Sequence, residues 1–264
     1  MKRTVELYAD DGGTGDSLPV VFLHSLAGNA SQWSAQLEHM RPHRRAVALE
    51  WRGHGRSGMP DDEDYSFPAM AADVAEAVER LRLGRFVLIG HSGGGLVALQ
   101  YAAEHPERVT GLLLVDPAGD ARQVPPEQME SLMAGLDSDA YAETIEGYWR
   151  LLLSGSVPEV QERVLADLEA TPKETVVGFF RAQMEYDPLP ALRRYRGPKL
   201  SVITPVNDAP FGLHNLGANL PHTTFTGTGH WLQMDKPDEF NRLLDDFVAR
   251  VENAESPQSG EPRK

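Results

Sequence analysis

The feature that most constrains this chain is an alternation of two kinds of segment. Apolar runs of strand length, at residues 19–24, 46–50, 86–90, 111–116 and 200–204, are separated by amphipathic stretches long enough for helices. Repeated strand–helix alternation is the pattern of an α/β fold with a mostly parallel central sheet and helices on both faces. Each run ends in a loop rich in Gly, Ser, Asn, Asp or Pro. In such sheets ligands bind beyond the carboxyl ends of the strands, so the loops after His24, Gly90, Asp116 and Thr204 are where chemistry is expected.

The alternation stops between residues 121 and 195. There the sequence reads as consecutive helices, including PPEQMESLMAGL, DAYAETIEGYWRLLL and PEVQERVLADLEA. The expected organisation is a core formed by residues 1–120 and 196–253, a helical cap at 121–195 inserted into it, and a disordered tail at 254–264, where the sequence is polar. A length of 264 residues suits one such core with one insertion.

Composition narrows the chemistry. A formal charge of −14 opposes binding to a phosphate backbone, and the lysines and arginines form no basic stripe, so nucleic acid is not an expected partner. The absence of cysteine excludes disulfides, thiolate catalysis and cysteine-ligated metals. No apolar stretch approaches the roughly 20 residues of a membrane span, and MKRTVELYADDGGTG contains no apolar run of signal-peptide length. No membrane association and a cytoplasmic location are the expectations.

The segment Gly90-His91-Ser92-Gly93-Gly94 follows the apolar run RFVLI and precedes the helical pattern GLVALQYAAEH. This is G-x-S-x-G in the strand–turn–helix setting that gives it meaning. The glycines allow a sharp turn that presents Ser92 at the top of the sheet, and the helix start supplies free N–H groups and positive dipole beside it. A serine hydroxyl at neutral pH needs a base, normally a histidine oriented by a third group. Of the nine histidines, His230 stands out. It lies in Thr226-Gly227-Thr228-Gly229-His230-Trp231, after the short apolar run TTF and before a C-terminal amphipathic helix. Two aspartates at strand ends compete for the orienting role: Asp208, after LSVIT, and Asp116, closing GLLLVD. Both obey the order nucleophile, acid, histidine.

Four motifs resemble those of the α/β-hydrolase superfamily: His24-Ser25-Leu26-Ala27-Gly28-Asn29 with Trp33, Arg52-Gly53-His54-Gly55-Arg56-Ser57, the Ser92 turn, and Gly227-Thr228-Gly229-His230. The resemblance covers nearly the whole chain apart from the cap and points to its serine esterase and haloperoxidase-like branch. It implies Ser92, Asp208 and His230 as a catalytic triad, with Asp116 as the alternative acid. It also implies that the backbone N–H groups of Leu26 and Gly93 form an oxyanion hole. Three positions depart from the common pattern: Ser25 and Pro205 stand where glycine is usual, and Glu50 where aspartate is common.

The activity this implies is hydrolysis of small to medium, largely apolar carboxylic esters or lactones through an acyl-enzyme, with neither cofactor nor metal required. Trp149, Phe180 and Trp231 are candidate pocket residues. The triad and both oxyanion donors lie outside 121–195, so the cap is expected to set substrate preference rather than chemical competence. The same triad also suits cofactor-free haloperoxidases or perhydrolases, carbon–carbon bond hydrolases and hydroxynitrile lyases, and a slow-turnover ligand-binding receptor is the reading from another class. Nothing in the sequence fixes the oligomeric state.

Overall fold

The computed structural model describes residues 4–216 and 220–255. Seven strands form one sheet in the order β1-β3-β2-β4-β5-β6-β7, with the strands at Ala9–Gly12 (β1), Val20–Leu23 (β2), Ala46–Leu49 (β3), Phe86–His91 (β4), Val109–Val115 (β5), Lys199–Ile203 (β6) and His222–Thr224 (β7). All neighbours are parallel except β1 and β3. The five apolar runs thus become β2 to β6. The polar β1 adds an antiparallel edge, paired through its backbone from Ala9 opposite Leu49 to Gly12 opposite Ala46.

The helices are α1 (Ser34–Met40), α2 (Phe67–Arg80), α3 (Gly93–Glu104), α4 (Pro126–Leu136), α5 (Tyr141–Leu152), α6 (Pro158–Ala170), α7 (Lys173–Glu185), α8 (Pro188–Arg194), α9 (Leu213–Leu216), α10 (Leu232–Asp235) and α11 (Pro237–Glu255). Residues 254 and 255 complete α11, whereas the expected tail began at 254; residues 256–264 lie outside the described residues. Among the described residues, no helix is long and apolar enough to cross a membrane.

The central strands are buried on both faces, which is why they read as continuous apolar runs. Alternate residues point to opposite sides. Val21, Leu23, Val47, Leu49, Leu88 and Leu112 join a cluster with α2, α3 and the helices of the insertion. Val20, Phe22, Ala48, Val87, Ile89 and Leu113 join a second cluster with α1 and α11. In α2 the buried Phe67, Met70, Ala71, Val74, Ala77 and Val78 recur at spacings of three and four, the stripe of a helix docked on one face. Each large side chain buried this way contributes roughly 1.5–3 kcal/mol, so a charge at Val74 would break the docking. The insertion is not a separate packing unit: Leu136, Ile145, Trp149, Val164 and Phe180 belong to the same cluster as the sheet's upper face.

Candidate active site

Ser92 sits between β4 and α3 at φ 55°, ψ −122°, a left-handed conformation that costs a side-chain-bearing residue energy and persists only where its surroundings impose it. Here the imposition is visible. The Ser92 N–H donates to the Val115 carbonyl (2.9 Å), and the Ser92 carbonyl accepts from Gly95 (2.9 Å) and Ala118 (3.2 Å). Two glycines are sterically required. A Cβ on Gly94 would lie 2.1 Å from the His24 carbonyl oxygen, and one on Gly90 would lie 2.5 Å from that of Gly94. Gly93 begins α3, where peptide N–H groups have no intrahelical acceptor.

His230 is buried, and its ring is fixed from one side: Nδ1 lies 2.6 Å from Asp116 Oδ2. Its Nε2 is also buried and meets no protein partner among the described residues. The His230 N–H donates to the Leu152 carbonyl at the end of α5 (3.0 Å), and its carbonyl accepts from His91 Nε2 (2.9 Å). His91 Nδ1 faces the Gln233 amide at 3.3 Å. Burial, then the neighbouring His230, holds the His91 imidazole well below its ordinary range, so it acts as a neutral strut.

Asp116 is fully buried at the end of β5, at φ 40°. Its Oδ1 accepts the Thr204 N–H (2.7 Å), and its Oδ2 accepts the Thr204 hydroxyl (2.7 Å) together with His230 Nδ1. A carboxylate placed so deep is tolerable because every approach to it is a hydrogen-bond donor.

Asp208 lies elsewhere, which corrects the assignment of the orienting acid implied by the family motifs. Its carboxylate is exposed and contacts His214 Nε2 (2.9 Å) and, at 3.4 Å, the Asn215 amide; His230 is not among its partners. The His214 contact holds the Asp208 carboxyl below the usual range. The physical reason is the preceding residue. Asn207, not Asp208, turns back under β5, donating its amide to the carbonyls of Pro117 (3.0 Å) and Asp116 (3.3 Å), and Asp208 is left facing outward.

Leu26 lies in the loop after β2. Its peptide is held through the Ser25 carbonyl, which accepts from Gly28 N–H (3.1 Å) and from His24 Nδ1 (2.7 Å). The next residue, Ala27, has φ 54°, and its N–H donates to His54 Nε2 (3.0 Å), whose Nδ1 is 3.0 Å from the Arg52 carbonyl. His54 must therefore be neutral, and burial indeed lowers it to about 4. Arg52 in turn grips Asp73 at 2.6 and 2.8 Å, a buried two-pronged pair. The second sequence motif is thus the scaffold beneath the first.

Ser92, Gly93, Leu26 and His230 share one cavity of about 340 Å³, whose wall is predominantly apolar and includes Trp149, Phe180 and Trp231. No sequence motif marks the side chains of Phe211, Gln183, Asn207 or Thr204 as part of the site. The first three line the cavity and Thr204 clasps Asp116, all by long-range placement that leaves no local signature. A larger hollow of about 640 Å³ beside Tyr65 and Tyr186 contains none of the expected site residues. Among the described residues, no three His, Asp or Glu side chains are arranged to hold a metal ion.

Comparison with known proteins bears on the fold that carries this site. The family model described as alpha/beta hydrolase fold matches residues 19–237. A serine hydrolase-like protein of Danio rerio is 38% identical over 115 residues, 43% of this chain and 35% of that protein. An sn-1-specific diacylglycerol lipase of Xenopus tropicalis is 31% identical over 183 residues, 67% of this chain and 53% of that protein. The chain thus spans about a third to a half of the length of these curated relatives. Among solved structures, Est816, an N-acyl homoserine lactone degrading enzyme, superposes with a TM-score of 0.77 at 27% identity, covering 92% of this chain and 97% of its own. With 219 of its residues, 19 through 237, matched by the family model and the sheet order and turn described above, the chain belongs to the alpha/beta hydrolase fold family.

Proposed function

We propose that the chain is a serine hydrolase acting on carboxylic esters or lactones of small to medium, largely apolar molecules. The observation that carries this reading is the buried His230–Asp116 pair at 2.6 Å, opening with Ser92 into one apolar cavity. In this mechanism Ser92 Oγ attacks the substrate carbonyl while His230 Nε2 takes its proton. Asp116 holds Nδ1–H and stabilises the imidazolium. The Leu26 and Gly93 N–H groups receive the carbonyl oxygen as it becomes negative. His230 then returns the proton to the leaving alkoxide, and water repeats the sequence on the acyl-enzyme. Asp116 takes the orienting role because it alone of the two candidates touches the histidine.

The apolar wall supports a largely apolar acyl or alcohol part, since such walls supply affinity while a few polar groups fix orientation. The likeness to Est816 supports extending the class to lactones. We read residues 121–195 as a cap inserted in a core of 1–120 and 196–253, because α4, α5 and α7 wall the cavity and none of the helices in this stretch extends the sheet. A fluorophosphonate should add one label, at Ser92, and turnover on p-nitrophenyl esters and lactones of graded length should follow its loss. A label elsewhere that abolishes activity, or full activity in Ser92→Ala, would overturn the reading.

A further inference from the structure

Besides the Leu152 carbonyl that holds the His230 N–H, the cap reaches the site through a buried polar network. Asp167, on α6, accepts the Asn29 side-chain amide at Oδ1 (2.7 Å) and the Gln32 amide at Oδ2 (3.0 Å), and its own side chain is only 10% exposed. The Gln32 carbonyl end accepts the Ser25 hydroxyl (3.0 Å), and that hydroxyl accepts the Trp231 indole N–H (3.2 Å). Ser25 and Gln32 are both buried.

Donor and acceptor chemistry orients the Gln32 amide along this chain. A carboxylate only accepts, so the Gln32 NH₂ must face Asp167 and its carbonyl must face Ser25; an indole N–H only donates, so the Ser25 hydroxyl accepts from Trp231 and shares its own proton between the Gln32 carbonyl (3.0 Å) and the Leu26 carbonyl (3.2 Å). Remove the carboxylate and nothing distinguishes the two ends of the Gln32 amide, whose reversal would aim a donor at Ser25. The Leu26 N–H belongs to the peptide that begins at Ser25, so freedom at the Ser25 side chain becomes freedom in the direction of that N–H. Asn29 ties the same carboxylate to the start of the next turn, where its own side chain caps Ser31 N–H (3.0 Å).

We propose that Asp167 is a positioning residue for the oxyanion hole, fixing the Leu26 N–H from the cap through Asn29, Gln32 and the Ser25 hydroxyl. The inference rests on the serine-hydrolase reading above. It also requires that the Ser25 side chain serves as the link. The cap then does more than select substrate: its seating sets how well the developing oxyanion is received.

The test pairs turnover of p-nitrophenyl acetate, too short to use the cap's apolar wall, with binding of a trifluoromethyl ketone, whose covalent adduct at Ser92 places a negative oxygen in the hole. Asp167→Ala should lower kcat on acetate by about 10- to 100-fold with little change in KM, and weaken the ketone by the same factor. Asp167→Asn, which keeps one acceptor, should fall between. Where Asp167→Ala does not fold, Gln32→Met, similar in length and lacking both hydrogen bonds, should show the same paired loss. In a Gln32→Met background, Asp167→Asn should add only the smaller part carried by its Asn29 contact, since the rest acts through Gln32. A folded variant of either residue with wild-type kcat on acetate and wild-type ketone affinity overturns the proposal, even if KM for long esters changes. Failure of the ketone to modify Ser92 in the unaltered protein would instead overturn the serine-hydrolase reading.

Discussion

The loops after β5 and β6 each carry an aspartate beyond a strand end, facing the same edge of the sheet, and they treat it oppositely. In the first, Asp116 is fully buried and receives three donors, two from Thr204 and one from His230. In the second, Asp208 is exposed and contacts the edge of the buried His214 ring. The difference lies in what each loop does with its polar atoms. The β6 loop spends Thr204 on the Asp116 carboxylate and Asn207 on the carbonyls of Asp116 and Pro117, so it serves its neighbour's acid rather than presenting its own. A carboxylate matters to a histidine through contact and exclusion of water, and only one of these loops supplies both.

The sharpest way to break this contrast is exchange of each acid for its amide. Asp116→Asn should reduce kcat by about 10³–10⁴, as losing the orienting acid does in other triads, while Asp208→Asn should change it by less than about threefold. The reverse ranking in steady-state assays on one ester would return the role to Asp208.

Acid titration separates the two environments next. His24, His54 and His91 are buried with their protonation pushed down, chiefly by burial, His54 to about 4. The unfolded chain takes up protons at these histidines from about pH 6.5, while the native state resists until near pH 4 for His54. Stability should therefore be fully present above about 6.5 and fall as the pH drops toward 4, with a slope approaching about 1.4 kcal/mol per pH unit for each histidine. Denaturant unfolding between pH 4 and 8 measures the slope. Asp208→Asn should leave the part of the slope due to these three histidines unchanged, because its carboxylate contacts none of them.

Thr204→Val removes one donor from Asp116 at constant shape. A hydrogen bond to a buried charge is worth about 1.5–3 kcal/mol, so kcat should drop about 10- to 100-fold or stability fall by that amount, with Thr204→Ser recovering most of the loss. The smallest effect should come from Asn207→Ala, which loosens the β6 loop by roughly 1 kcal/mol while leaving the Thr204–Asp116 contacts in place. A loss in kcat as large as that of Asp116→Asn would show that Asn207 takes part in orienting the acid.

These contrasts also explain what was readable in the sequence. The five central strands, α2 and α3 and the Ser92 turn are local matters: burial on both faces leaves continuous apolar runs, and the sharp turn demands glycine on either side of the serine. β1 is not legible because an edge strand of sequence ADDG carries no apolar run; it is held by backbone pairing and by the Asp10–Arg41 and Asp11–Arg45 ion pairs. His230 was legible from its Gly-x-Gly setting. The choice between Asp116 and Asp208 was not, since it depends on Thr204 and Asn207 folding back across some 90 residues of chain. The link from Asp167 to Gln32 spans 135 positions and leaves no periodic or compositional trace.

The position of the insertion between β5 and β6 also bears on the order in which the molecule forms. β2, β3 and β4 can pair among residues 20–91, whereas β5 meets β6 only after some 80 residues of helical chain have been looped out, with Leu112 opposite Lys199. Asp116 then waits for Thr204, 88 positions on, and His230, 114 positions on. Closing such loops costs entropy before any contact repays it, and pairings distant in sequence are slow to form. During refolding, tryptophan fluorescence from the early half of the sheet, where Trp33 and Trp51 are buried, should recover before Ser92 regains reactivity toward a fluorophosphonate. A chain emerging from the ribosome would by the same reasoning hold its Ser92 turn, shaped once β4, α3 and β5 are in place, without a histidine beside it until its last quarter has been made.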